Sequence, residues 1–434
     1  MDKLFESAFM KKLQTFGQKL GSNLFLTSLQ AAMMSLMGII MVGAIFQIMV
    51  SVIGPDMFNL IERESMIYNL LYLPYQFTMN SLSLWVVIFF AYNYSKNLKM
   101  KSPLMHAVDA LVCFLVVAGL LITAETGAVS ISMSYLGAQG MFIGFIVVYI
   151  SVHIEKYCID HNIRIKMPSV VPPFLQDGFS AIVPLFFSVT FFIIINGLVL
   201  SVSHGALNVC SGFMLLLSAP LGALTSIPGM FILGIFATLL WCFGIHGTMI
   251  VGTVLTPMLL QSIAENGANH AAGEPLVFYP VILWGAIAAV GGTGNTLPLA
   301  ILGLRSKSKQ INAIAKVSAG PGWFGINEPL AFGMPIMYNP ILCIPYVLSV
   351  PIIMILMLIA FKVGFLQPGW IAVMALLPMG FSGYLSTLRW QNAIWDYLMI
   401  IPAFIIYYPF FKIYEKQLIA KEKSEEAAKE LATS

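Results

Sequence analysis

The chain reads as an all-α membrane protein that crosses the lipid bilayer many times, and three observations predict it. Of its 434 residues, 59% are hydrophobic and only 9% are charged, against roughly 25% charged residues in a soluble globular domain. Charge is also missing in long blocks: no Asp, Glu, Lys or Arg lies between Lys19 and Asp56, between Glu64 and Lys96, or between Asp177 and Glu265. A helix needs about 20 apolar residues to cross a hydrocarbon core roughly 30 Å thick, so each block has room for a span and the last for several. Finally, the apolar runs are continuous, as in Met33 to Val52, whereas strands of a membrane barrel alternate polar and apolar over about 10 residues. A soluble helical protein is excluded because its surface would lack the charge that solubility requires.

Residues 1–22 place Leu4, Phe5, Phe9 and Leu13 near one helical face, with Lys3, Lys11 and Lys12 elsewhere. This pattern predicts an interfacial helix. The first twenty residues contain neither an apolar signal core nor a small-residue cleavage site, so the first span is expected to serve as the insertion signal. Spans are predicted at 26–52, 70–95, 104–124, 139–154 and 178–202, making residues 23–203 a five-span scaffold domain. Lysine and arginine cluster at Lys3 to Lys19, Lys96 to Lys101, Lys156 to Lys166, Arg305 to Lys316 and Lys412 to Lys429, while the loops near 53–68 and 125–138 hold only Arg63. Positive charge concentrates on the cytoplasmic side, so both termini are expected there.

Residues 204–415 differ because Gly and Pro interrupt the apolar stretches: Pro220, Pro228, Gly244, Gly247 and Pro257, then Gly291, Gly292, Gly294 and Pro298. Residues 318–340 alone hold four glycines and four prolines, which predicts a re-entrant hairpin rather than a simple span. Broken backbone at membrane depth is tolerated only where protein or a watery cavity satisfies it, which is where transporters hold substrate. The region therefore reads as a substrate-binding transport domain, followed by a charged, solvated cytoplasmic tail over 416–434.

Glu328 is the outstanding acid: it lies in an apolar broken segment with no basic residue between Lys316 and Lys362. Intramembrane ionisable groups are costly to bury and mark functional sites. His246 stands in a block without formal charge, between Gly244 and Gly247, which permit close approach of a ligand or another backbone. The Gly291-Gly-Thr-Gly-Asn-Thr296 run lacks the lysine and strand context of a phosphate loop and reads as a tight helix break presenting backbone donors and the Asn295 amide. Trp241, Trp323 and Trp390 lie near these motifs and serve either as an interfacial belt or as a flat platform. Gln139 opens the fourth span and is placed to reach a cavity from the scaffold side. His106, Asp109 and Asp177 read as interfacial or helix-end groups. The five cysteines, Cys113, Cys158, Cys210, Cys242 and Cys343, are scattered without metal or redox spacing. No metal site, cofactor or nucleic-acid partner is expected.

Phe243-Gly-Ile-His246-Gly and Gly325-Ile-Asn-Glu328-Pro, continuing through Phe332-Gly-Met-Pro335 to Asn339-Pro340, resemble the membrane IIC component of the bacterial phosphotransferase system, in its lactose/cellobiose/diacetylchitobiose branch. Met167-Pro-Ser-Val-Val-Pro172 before Phe179-Ser-Ala-Ile-Val-Pro184 supports the same resemblance. The resemblance implies a homodimer of subunits with about ten spans and two re-entrant hairpins. Spans one to five would form the dimer scaffold, against which a mobile sugar-binding domain moves in an elevator fashion. It further implies that a β-linked disaccharide is phosphorylated on its 6-hydroxyl by phosphocysteine of a separate IIB protein, with IIA and a phosphocarrier protein upstream. None of the five cysteines sits in a domain able to carry that phosphocysteine.

The family's glutamate and histidine correspond to Glu328 and His246. A carboxylate accepting a hydrogen bond from the 6-hydroxyl orients that oxygen and takes its proton as it attacks phosphorus. His246 is expected to position the same hydroxyl; Asn327, Asn295 and Gln139 are expected on sugar edges, and Trp241 or Trp390 on an apolar face. The alternative is a proton-coupled secondary sugar transporter in which Glu328 and His246 exchange protons.

Overall fold

The computed structural model describes residues 8–54, 58–63, 65–119, 121–123, 127, 129–168, 170–334, 336–374 and 377–433. Lys3, Leu4 and Phe5 of the expected interfacial helix, and Ser169 and Pro335 of the motifs, lie outside the described residues, as do the side chains of Phe9, Lys11 and Leu13 and those beyond Ser424. Among the described residues the fold is helical, with one short antiparallel hairpin, β1 (Leu121–Thr123) and β2 (Val129–Ile131), in which Leu121 faces Ile131. The chain divides into two compact units.

The first unit is Ser22–Ala223 with Thr256–Ala264. The first helix among the described residues, α1 (Ala8–Gly21), belongs to the second unit. The first unit contains α2 (Leu24–Ser35), α3 (Met37–Ile53), α4 (Met66–Thr78), α5 (Leu82–Asn97), α6 (Pro103–Ala118), α7 (Met141–Asp160), α8 (Pro173–Val202) and most of α9 (Val209–Leu224). Its core forms around α5, whose Val86, Val87, Phe90 and Ala91 are fully buried against α2, α6 and α7. Gly144 on α7 makes that approach possible, since a Cβ there would lie 2.9 Å from a Val87 methyl. Phe25 packs edge-on against Phe90 and Tyr94, and the Asn97 amide donates to Ser28 Oγ at 2.7 Å.

The span expected over 70–95 is broken between α4 and α5, around Met79 to Ser81. The backbone N–H of Ser83 freed by the break donates to the Leu136 carbonyl, and its hydroxyl donates to the Gly137 carbonyl, so the segment before α7 satisfies what the helix does not. The third expected span, 104–124, stops at Ala118, where Gly119 turns the chain toward the β-hairpin. His106, in the first turn of α6 as expected of a helix-end group, and Asp109, one turn on, are buried beside the equally buried Glu155 of α7.

The second unit is Met1–Gly21, Leu224–Leu255 and Glu265–Ser434. It contains α10 (Ile227–Cys242), α11 (Gly247–Ala272, whose middle belongs to the first unit), a 3-10 turn over Pro280–Ile287, and α12 (Leu297–Gly303). Then follow α13 (Lys309–Trp323), α14 (Glu328–Gly333), α15 (Pro340–Lys362), α16 (Phe381–Thr387), α17 (Trp390–Leu398) and α18 (Ile400–Thr433). Among the described residues six helical stretches are long and apolar enough to cross a membrane, counting α2 with α3 and α17 with the start of α18 as one stretch each, or seven if α9 and α10 form one broken span. The remaining apolar segments are shorter or broken, as the Gly and Pro content of this half requires.

The loop between the 3-10 turn and α12 is the packing centre of this unit. The Gly294 carbonyl accepts from Ser349 Oγ at 2.7 Å on α15 and from Tyr407 Oη at 2.6 Å on α18. Gly294 has φ +76°, and a Cβ on it would collide with the fully buried Tyr346 ring. At the other end, the expected solvated tail begins as a continuation of α18. Glu422 accepts from Ser308 Oγ at 2.7 Å and from the backbone N–H of Gln310 at 3.0 Å, and Glu415 from Ser306 Oγ at 2.6 Å. A carboxylate of the tail thus covers free N–H groups in the first turn of α13.

Gly294→Ala combines a left-handed backbone with a clash against Tyr346 and should cost roughly 2 kcal/mol or more. Tyr407→Phe leaves the carbonyl its bond to Ser349 and should cost about 1 kcal/mol. Thermal unfolding of the detergent-solubilised protein should therefore rank the two variants in that order.

Candidate functional site

Two broken segments and one helix start build the site, all within the second unit. Between α10 and α11 the chain turns through Gly244 at φ +75°, and His246 becomes the N-cap of α11. Its Nδ1 accepts the backbone N–H of Met249 at 3.3 Å. A ring nitrogen that accepts a hydrogen bond carries no proton, so the neutral imidazole has its hydrogen on Nε2. That nitrogen lies 3.9 Å from Oε1 of Glu328.

The ring is held from behind. Trp241, only 4% exposed, packs against the imidazole with centroids 4.3 Å apart. Its indole N–H donates to Thr248 Oγ1 at 3.2 Å, and Thr248 Oγ1 lies 3.0 Å from His246 Nδ1 and 3.3 Å from Thr293 Oγ1. Because Nδ1 carries no hydrogen, Thr248 donates its proton to the histidine while accepting from the Trp241 N–H, and its oxygen has a second lone pair for the Thr293 hydroxyl.

Glu328 opens α14, immediately after Asn327. The Asn327 side chain reaches across to the other loop, donating to the Thr293 carbonyl at 2.7 Å and to Thr296 Oγ1 at 3.1 Å. Gly292, at φ +85°, makes this contact possible: a Cβ there would lie 2.7 Å from the Gly325 carbonyl and 2.8 Å from the Asn327 amide carbon. The two loops therefore interlock, and the clamp fixes the backbone that carries Glu328. The Glu328 side chain is 46% and that of His246 42% exposed, so the pair opens on one side. Its other oxygen, Oε2, is buried without a hydrogen-bond partner, as is the hydroxyl of Tyr346.

Glu328, His246, Asn327 and Trp241 thus come together as one group. Trp241 is occupied as a support for the imidazole, its face and its N–H both engaged. Asn295 belongs to the same loop, but it is fully buried at φ +58°, with Oδ1 accepting from Val290 N–H and Nδ2 donating to the Ala286 carbonyl. Its amide closes the loop on itself. Trp390 is 59% exposed at the start of α17, and the Trp323 indole donates to Tyr397 Oη at 3.3 Å. Gln139 is exposed on the first unit, just before α7. Thr248, Thr293 and Tyr346 were not singled out from sequence. The first two each follow a glycine of a helix break, a signal that reads as loop chemistry until the loops are seen to meet.

A family model described as "Phosphotransferase system, EIIC" matches residues 30–349. The chain is 31% identical over 95% of its length to the PTS system oligo-beta-mannoside-specific EIIC component of Bacillus subtilis (strain 168), covering 95% of that protein. It is 33% identical to the PTS system cellobiose-specific EIIC component of Geobacillus stearothermophilus, over 68% of this chain and 66% of that one. Among solved structures, the transporter ChbC, the IIC component from the N,N'-diacetylchitobiose-specific phosphotransferase system, matches with a TM-score of 0.86 and 29% identity, covering 97% of this chain and 99% of that one. With a family model spanning most of its length and relatives alike from end to end, this multi-pass membrane protein belongs to the EIIC family of sugar permease components of the bacterial phosphotransferase system.

Proposed function

We propose that the chain binds a β-linked disaccharide between Glu328 and His246 and passes it across the membrane as the sugar is phosphorylated on its 6-hydroxyl by phosphocysteine of a IIB partner. One observation carries the site assignment. The 3.9 Å between His246 Nε2 and Glu328 Oε1 is too long for a direct hydrogen bond, and it leaves one hydroxyl oxygen able to reach both at about 2.8 Å. Such a hydroxyl accepts from the Nε2–H and donates to the carboxylate. The imidazole tautomer set by Met249 gives the hydroxyl this polarity.

The chemistry follows from that placement. The sugar oxygen attacks phosphorus in line, the C6–O–P bond forms, and the S–P bond of the phosphocysteine breaks with the thiolate leaving. The hydroxyl proton moves to Glu328, for which the hydrogen bond is the path. His246, backed by Trp241 and Thr248, holds the oxygen in register but does not take the proton. Asn327 acts through the backbone, keeping Glu328 at the loop junction. Trp390 remains a candidate for the far end of the sugar, where its exposed indole face suits an apolar ring face. The names of the relatives, oligo-beta-mannoside, cellobiose, lactose and N,N'-diacetylchitobiose, support a β-linked saccharide as the substrate class.

In the same proposal, residues 23–203 serve as a homodimer scaffold and 204–415 as the moving transport domain, with both termini cytoplasmic. The apolar surface of α8 supports a partner or lipid there, since only 11% of its most apolar window is buried within the chain. The basic clusters support the orientation, and in it the Arg305 to Lys316 segment would face the side from which IIB, supplied in turn by IIA and the phosphocarrier protein, approaches.

Three substitutions test the assignments. Glu328→Gln should bind disaccharide within about threefold of the wild-type affinity yet lose phosphorylation by phosphorylated IIB some 10²–10⁴-fold; full phosphorylation would remove the base assignment. His246→Ala should weaken sugar binding about tenfold or more, as a hydrogen bond at a partly desolvated site is lost. Thr248→Val leaves the Trp241 N–H unpartnered and should weaken binding about 5- to 10-fold while the protein stays folded. Uptake of unmodified sugar into proteoliposomes under a pH gradient alone, without IIB, would favour proton-coupled transport instead.

A further inference from the structure

A second group of ionisable side chains lies in the first unit and takes no part in the proposed sugar chemistry. We propose that His106, Asp109 and Glu155 form a binding site for one divalent transition-metal ion, ligated by Nδ1 of His106 and one oxygen from each carboxylate. His106 and Asp109 stand one turn apart on α6, and Glu155 faces them from α7. Their candidate donor atoms all lie within 4.8 Å of one another.

The ring of His106 is oriented as a metal-binding histidine requires. Its Nε2 lies 2.8 Å from the Lys101 carbonyl, an acceptor only, so that nitrogen carries the hydrogen and Nδ1 turns its lone pair toward the carboxylates. Nδ1 meets Glu155 Oε2 directly, a contact that needs a shared proton. The carboxylates show the opposite of a satisfied pair. Asp109 and Glu155 are 3% and 1% exposed, and Asp109 Oδ2 and Glu155 Oε1 are buried with no hydrogen-bond partner. Neither carboxylate has a lysine or arginine partner among the described residues, although Lys101, Lys156 and Arg164 line the same cavity of about 280 Å³. Two buried carboxylates and a neutral imidazole match the charge of a divalent cation. The nitrogen donor selects a transition ion such as Zn²⁺ or Mn²⁺ over Mg²⁺ or Ca²⁺. The donors must draw together to roughly 3.3 Å, the ligand spacing of a tetrahedral zinc. Coordination displaces the proton shared by His106 and Glu155 to solvent and ties α6 to α7.

The test uses the full chain in detergent, stripped with chelator and titrated with ZnCl₂ by calorimetry, and separately with CoCl₂ by visible absorption. The expected result is about one Zn²⁺ per chain, a rise in unfolding temperature, and a cobalt band that zinc abolishes. His106→Gln, Asp109→Asn and Glu155→Gln should each weaken zinc binding at least tenfold, while His204→Gln, at an exposed position, leaves it unchanged. Wild-type protein that gives neither heat nor a cobalt band overturns the proposal, whatever the variants do. So does zinc binding that persists unaltered in His106→Gln and Glu155→Gln, which would place the ion elsewhere.

Discussion

The second unit is organised around one constraint: two glycine-broken segments must touch closely enough for the Asn327 amide to bond both the carbonyl and a hydroxyl of the opposing loop. The proposed sugar site hangs from that junction. Gly292 removes the side chain that would separate the loops, and Gly294 removes the one that would displace Tyr346. Tyr407 and Ser349 anchor the same loop to α18 and α15. The loops are irregular backbone in an apolar half of the chain, so their polar groups need partners from protein. Interlocking supplies those partners, and it fixes Glu328 opposite His246 as a consequence.

The two acidic centres solve the cost of a buried charge differently. Glu328 keeps about half of its side chain open and shows one oxygen to an imidazole at a distance that admits a hydroxyl. That exposure suits the exchangeable ligand of the proposed function. The His106, Asp109 and Glu155 group is buried, sits between two regular helices, and carries two carboxylates where only one proton-bearing contact is visible. A permanently held cation suits the second environment, whereas an exchangeable sugar suits the first. The distinction rests on exposure and on the rigidity of the supporting elements, not on residue type.

Much of this was legible in the sequence. The helical membrane class followed from composition and charge-free blocks, and Glu328 and His246 stood out because each is polar where its surroundings are not. The partnership of Asn327 with Thr293 and Thr296 was not legible, because it joins residues more than thirty positions apart through loops that only glycine lets meet. Asn295 illustrates the limit from the other side. In sequence its amide looks available to a ligand, yet both of its hydrogen-bonding ends turn inward to close the loop on Val290 and Ala286. Trp241 behaves alike, consumed as a backing for the imidazole. The burial of His106 and Asp109 near the start of α6 was not legible either, because their partner Glu155 lies 49 residues past His106, on the neighbouring helix. The broken second span was likewise hidden, since the carbonyls that replace its missing helical partners come from residues 136 and 137.

The central claim is that one sugar hydroxyl lies between Glu328 and His246. A structure determined with a bound β-linked disaccharide tests it most directly. The account predicts a single hydroxyl oxygen within about 3.2 Å of both Glu328 Oε1 and His246 Nε2, with the Asn327 clamp unchanged. A sugar seated elsewhere, with neither side chain contacting a hydroxyl, would contradict it.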